Sequence, residues 1–130
     1  LGVRLHIIEP CGFLLDDKQL KRVAMDYGVK TDLHRHISWT KFLENIGKNR
    51  RIILLSTKVQ NIYTDFPFTK DDILLLGRES SGVPDYVVQA THGQIKIPMH
   101  ADARSLNVAL AASMVLGEAL RQTGNFCGGL

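Results

Sequence analysis

A mostly parallel α/β sheet with flanking helices is the architecture this sequence predicts, and three observations carry it. Two short continuous apolar runs, residues 52–56 and 73–77, have strand length and no polar face, as strands buried on both faces of a parallel sheet do. Other segments place apolar residues at helical spacing. Glycine or proline stands at most of the junctions between them.

In chain order, residues 3–9 alternate toward a short strand that Pro10 closes. Asp16 and Asp17 can cap a helix with Leu20, Val23, Ala24 and Tyr27 on its apolar face and Gly28 as its stop. His34, Arg35 and His36 read as a polar stretch with no element assigned. Ser38 starts a second helix through Phe42, Leu43 and Ile46, which ends near Gly47. Residues 52–56 form a buried strand, a polar loop containing Pro67 follows, and residues 73–77 form another buried strand. Pro84 fits the first turn of a short helix through Val87 and Val88. Residues 94–97 are a strand and residues 105–122 the longest helix, with a loose glycine-rich tail from Gly124.

A chain of 130 residues, 45% of them hydrophobic, is one domain with a real core. No apolar run approaches the roughly 18 residues a membrane span needs. No signal segment begins the chain; Leu1-Gly2 runs straight into apolar residues, as the middle of a domain would. Cys11 and Cys127 lack a CxxC spacing and read as free thiols in a reducing, cytoplasmic setting. The net charge of +3 permits an anionic partner without requiring one. Basic residues gather at Lys18, Lys21 and Arg22, and again at Lys48, Arg50, Arg51 and Lys58. A solvated surface and an RNA-facing patch both remain open for them.

Two constellations could carry chemistry. The strand at 73–77 runs into Gly77-Arg-Glu-Ser-Ser-Gly82, a loop with one acid, Glu79. Glycine there lets the backbone approach a flat ligand, and an ordinary strand-to-helix turn would look the same. Neither GxGxxG nor GxxxxGK[ST] is present. The second constellation, Arg104-Ser105-Leu106-Asn107, opens the long helix. It could hold a polar ligand at free N–H groups, or cap only its own helix. That helix, from Val108 to Gly117, is apolar nearly all round, which implies burial on every side and points to a second copy covering one face. The five histidines form no metal-ligand pattern, so no metal is expected. No GxSxG or partnered cysteine supplies a nucleophile.

The loop after residues 73–77 and the pair Ile97-Pro98 with Arg104-Ser-Leu-Asn107 resemble the second and third motifs of the SPOUT (SpoU-type) RNA 2′-O-methyltransferases. The run Arg4-Leu-His-Ile-Ile-Glu-Pro10, then Asp16-Asp-Lys18, Asp26-Tyr27 and Leu55-Ser-Thr-Lys58, resembles the TrmL-like (YibK-type) branch, which acts on the tRNA wobble position. The resemblance covers almost the whole chain. It implies an α/β fold with a C-terminal deep trefoil knot, an exception to the general absence of knots. It implies S-adenosyl-L-methionine as cofactor, a homodimer, and tRNA as substrate, methylated on the ribose 2′-oxygen of cytidine or uridine 34. Leu55, Gly77, Glu79, Ile97 and Ser105 would hold the cofactor, Arg104 would meet the substrate, and Ser105 and Asn107 would serve catalysis. The family's first motif, a strand and an Asn-Thr-Gly-Asn loop followed by the main catalytic arginine, is expected upstream of Leu1. Residues 1–130 would then be a single domain lacking that first strand and loop. Ala109 stands where many members carry serine. A non-catalytic RNA- or cofactor-binding module with this fold is the alternative. A receiver-like signalling domain is disfavoured because Glu9 is followed by Pro10-Cys-Gly12 rather than by an acidic cluster.

Overall fold

The computed structural model describes residues 3–8, 33–77, 83–99 and 108–124, arranged as two compact units, Leu1–Lys48 and Asn49–Leu130. The first predicted helix, both cysteines and the tail beyond Gly124 lie outside the described residues.

In the first unit, β1 (Leu5–Ile8) pairs in parallel with β2 (Leu33–His36), His6 opposite His34 and Ile8 opposite His36. The sequence reading missed β2. Its residues, Leu-His-Arg-His, show no apolar alternation, yet the strand buries His36, which is 7% exposed. A buried imidazole needs partners for both ring nitrogens. Here His6 Nδ1 lies 2.8 Å from His36 Nε2, and Asn45 Nδ2 lies 3.3 Å from His36 Nδ1. The rings of His6 and His36 stack at 5.1 Å and meet Phe42 edge-on. Phe42 sits on α1 (Trp39–Ile46), which starts where expected: Ser38 Oγ accepts a hydrogen bond from the Lys41 N–H at 3.2 Å. Gly47 ends the helix at φ 76°, a left-handed conformation that glycine adopts without strain.

In the second unit, β3 (Ile52–Leu55) is the centre of a parallel three-stranded sheet, with β4 (Ile73–Leu75) on one side and β5 (Gly93–Ile95) on the other. Ile52 lies opposite Ile73, and Leu55 opposite Ile95. β3 is buried as predicted. β4 is only half-buried, correcting the expectation of a second fully buried strand, because it is an edge of the sheet among the described residues. β5 lies slightly earlier than the predicted 94–97. Pro84 is the N-cap of α2 (Asp85–Gln89) rather than part of its first turn. The polar loop after β3 contains a 3₁₀ turn, Tyr63–Asp65, that the sequence did not suggest.

The long helix α3 is described from Val108 to Thr123. Ala111, Val115 and Leu120 are buried, and Val115 joins Ile53, Phe68 and Ile95 in the core. Gln122 Oε1 accepts the Phe68 N–H at 2.9 Å, tying the helix end to the segment before β4. The other face carries Leu110, 60% exposed, and Met114, 42% exposed, so burial on all sides does not hold within this chain.

An ion pair fastens the N-terminal ends of β3 and β4. Arg51 Nε donates to Asp72 Oδ1 at 2.8 Å and its Nη2 to Oδ2 at 2.6 Å; the Thr69 N–H and hydroxyl donate to the same carboxylate, each at 2.8 Å. The Asp72 side chain is 3% exposed. Burial alone would push its carboxyl up, but the hydrogen bonds from Arg51 and Thr69 outweigh burial and hold it below the usual carboxylate range. Arg51 is pushed further up, chiefly by its hydrogen bond to Asp72. Asp72→Ala is expected to cost about 2–3 kcal/mol, since it strands the Thr69 donors and half of a bidentate pair. The native contribution is complete above roughly pH 4 and is lost as pH falls through the lowered value of the folded state. Urea titrations at pH 7 and pH 3 check this: the difference between wild type and variant should shrink at the lower pH.

Candidate functional site at the carboxyl ends of the sheet

Ligands of parallel α/β sheets bind beyond the carboxyl ends of the strands, where the chain leaves to opposite sides of a central strand. That point lies at β3. From its end the chain goes first to β4 on one side and later to β5 on the other. Leu55 is the last residue of β3, Gly77 stands two residues beyond the end of β4, and Ile97 two beyond the end of β5. The register places these three sequence-predicted residues at one edge of one sheet.

Beside them is a narrow apolar cleft lined by Ile53, Leu55, Leu74, Leu76, Ile95, Ala112 and Val115, with room for about one water (roughly 10 Å³). Leu55 lines the cleft directly. Gly77 follows Leu76, which also lines it. Ile97 packs on the core cluster behind. Leu74, Leu76 and Val115 were not singled out from the sequence, and Ala112 stood out only as a small residue where a second copy's helix could approach. Their signal was only apolar periodicity, which does not separate a ligand floor from ordinary core. Glu79, Arg104, Ser105 and Asn107 lie outside the described residues.

Among the described residues the lining holds no titratable group, so they supply no acid or base there. The perturbed ionisable groups stand elsewhere. Arg51 and Asp72 are at the opposite end of the sheet, and Glu118, lowered mainly by its hydrogen bond from Arg121, is on the last turns of α3. Among the described residues no group of three or more His, Cys, Asp or Glu side chains could hold a metal ion. No described helix is long and apolar enough to cross a membrane.

The described residues form parallel α/β sheets, with a small apolar cleft beside the carboxyl ends of β3, β4 and β5. The chain belongs to the SpoU rRNA Methylase family, whose model matches residues 1–117. A protein of Beijerinckia indica named tRNA (cytidine(34)-2'-O)-methyltransferase is 53% identical over 125 residues, which cover 95% of this chain and 78% of that protein. An Escherichia coli K12 protein of the same name is 40% identical over 125 residues, covering 95% and 79%. A solved structure concerned with 2-OH methylation of C/U34 on tRNA superposes with a TM-score of 0.80 at 39% identity, over 92% of this chain and 78% of that one. The SpoU methyltransferase AviRb from Streptomyces viridochromogenes, in complex with the cofactor AdoMet, superposes with a TM-score of 0.72 at 25% identity, over 93% of this chain and 50% of that one.

Proposed function

We propose that this protein methylates the ribose 2′-oxygen of the wobble nucleotide, cytidine or uridine 34, of tRNA, using S-adenosyl-L-methionine. The observation that carries the reading is the shared name of relatives 53% and 48% identical over 95% and 97% of the chain. The strand-end cleft agrees with it. Leu55, Gly77 and Ile97 would hold the cofactor along three strand ends through the main chain, since the cleft beside them has room for only about one water. The cofactor would supply an electrophilic methyl group on a sulfonium. The protein's part is to set the 2′-oxygen in line behind that methyl and to help remove its proton. Glu79 would order the loop after Gly77, Arg104 would contact the RNA, and Ser105 and Asn107 would help position the ribose.

The reading takes the chain as part of one knotted domain that works as a cytoplasmic homodimer. The exposed Leu110 and Met114 on α3 support a partner copy, because water is a poor neighbour for both. The test is methyl transfer from labelled cofactor by the full-length protein to tRNA transcripts with cytidine or uridine at position 34, followed by mapping of the product. Label confined to the 2′-oxygen of nucleotide 34 is expected. Cofactor binding without transfer to any RNA would favour the non-catalytic module instead.

A further inference from the structure

The buried imidazole of the first unit is held at both ring nitrogens, and that fixes where its proton sits. The Asn45 amide nitrogen, 3.3 Å from His36 Nδ1, can only donate, so Nδ1 accepts. The proton of the neutral His36 ring is therefore on Nε2, which donates to His6 Nδ1 at 2.8 Å. Two neutral rings and one amide thus fill a directed chain of hydrogen bonds from α1 through β2 to β1. Phe42 meets both rings edge-on, at 5.5 Å and 5.1 Å, and closes the cluster against α1.

Protons disturb this chain in a countable way. One extra proton fits if the Asn45 amide turns its oxygen toward His36, because His36 can then donate from both nitrogens. A second extra proton sets an N–H of His6 against an N–H of His36, and no turn of the amide relieves that. The contact becomes one between like charges in a half-buried place. Among the described residues, the charged and titratable neighbours are Arg4, two residues before His6; His34 on β2, whose ring lies 5.4 Å from that of His6; and Lys41 and Glu44 on α1. Lys41 and Glu44 pair with each other at 3.4 Å, with side chains more than half exposed, and form no ion pair with the histidines.

We propose that His6, His36 and Asn45 form a proton-sensitive latch that holds α1 on the β1–β2 sheet at neutral pH and loosens it as the solution is acidified. The sign follows from the hydrogen bonds. The contact between the rings needs an acceptor nitrogen, which exists only while at least one ring is neutral. Its contribution is therefore complete with both rings neutral and is lost as pH falls. The latch lies in the first unit and the strand-end cleft in the second, so it stands or falls independently of the proposed methyl transfer.

The test follows the full-length wild type, His6→Gln and Asn45→Asp from about pH 8 to about pH 5.5, a range in which ordinary carboxylates stay charged. Trp39, the single tryptophan of this sequence, is buried, and its ring stacks on Phe42 at 5.4 Å, so its emission reports on the cluster. Glutamine at position 6 still accepts from His36 Nε2 but takes up no proton. Aspartate at position 45 accepts from a protonated His36 Nδ1 without turning. Both variants should lose less on acidification. The melting temperature of wild type should drop about 3 °C further than that of either variant, the shift that one lost hydrogen bond brings in a chain of this size. Trp39 emission should change over the same range in wild type and stay flat in His6→Gln. The other histidines are common to all three proteins and cancel. Asn45 is exposed, so Asn45→Asp keeps the comparison available if His6→Gln does not fold. Equal drops in wild type and variants would overturn the proposal, as would wild-type Trp39 emission that does not respond to pH.

Discussion

Gly77→Val is expected to weaken S-adenosylmethionine binding more than about a hundredfold, or about 2.8 kcal/mol, while moving the melting temperature by only a few degrees. The residue follows Leu76, a lining residue of the cleft, and stands just beyond an edge strand. The cleft is already narrow, with room for about one water (roughly 10 Å³). A ligand can enter only along the main chain or by moving side chains. A branched Cβ at position 77 would stand where the backbone must meet the ligand. Edge position and half-burial limit the cost to the fold. Calorimetry on both proteins decides the matter: matched affinities would remove Gly77 from the cofactor site, and joint loss of binding and folding would make it a structural residue.

Ile95→Ala is expected to lower stability by about 3–4 kcal/mol and the melting temperature by roughly 10 °C. Ile95 is 0% exposed and packs with Ile53, Phe68 and Val115, which tie β3, the segment before β4, β5 and α3 together. It also lines the cleft, so the cavity left by truncation would open into the ligand floor. Ile95→Val removes one methylene and should cost only about 1 kcal/mol. Thermal melts of the pair give the comparison. A drop of less than about 1 kcal/mol for the alanine variant would mean that the four elements do not share one core.

How much of this was legible in the sequence depended on which force placed each residue. β3 was readable because a central parallel strand has no polar side, and Ile-Ile-Leu-Leu says so directly. α1 was readable from Ser38 at one end and Gly47 at the other, where the backbone chemistry is local. β2 was not, because His36 is buried through partners thirty and nine residues away, which no local pattern reveals. The half-burial of β4 depends on its place in the sheet, a property of topology rather than of Ile-Leu-Leu itself. At the site, Leu55, Gly77 and Ile97 were identified by resemblance, and the sheet register then brought them to one edge. The separate fates of Arg51 and Lys58 could not be read from a run of basic residues, because they sit at opposite ends of a strand and, among the described residues, only Arg51 pairs with an acid.

The order of strands in the sheet also biases the order of assembly. Contacts between the starts of β3 and β4 span 21 residues, while those between β3 and β5 span 40. Closing the longer loop costs about 0.6 kcal/mol more, which favours β4 docking on β3 before β5 by a factor of about three. β5 then has to enter between β3 and residues 61–63, forming bonds on both of its sides in one step. Until it does, the other edge of β3, made of Ile52 to Leu55, stays open to strands of other molecules. Pairing of β5 is thus the less local of the two strand contacts, and the core closes only when Val115 of α3 packs on Ile95. A newly made chain has no complete cleft until the long helix, which supplies Ala112 and Val115 to its lining, has left the ribosome, so the site appears late.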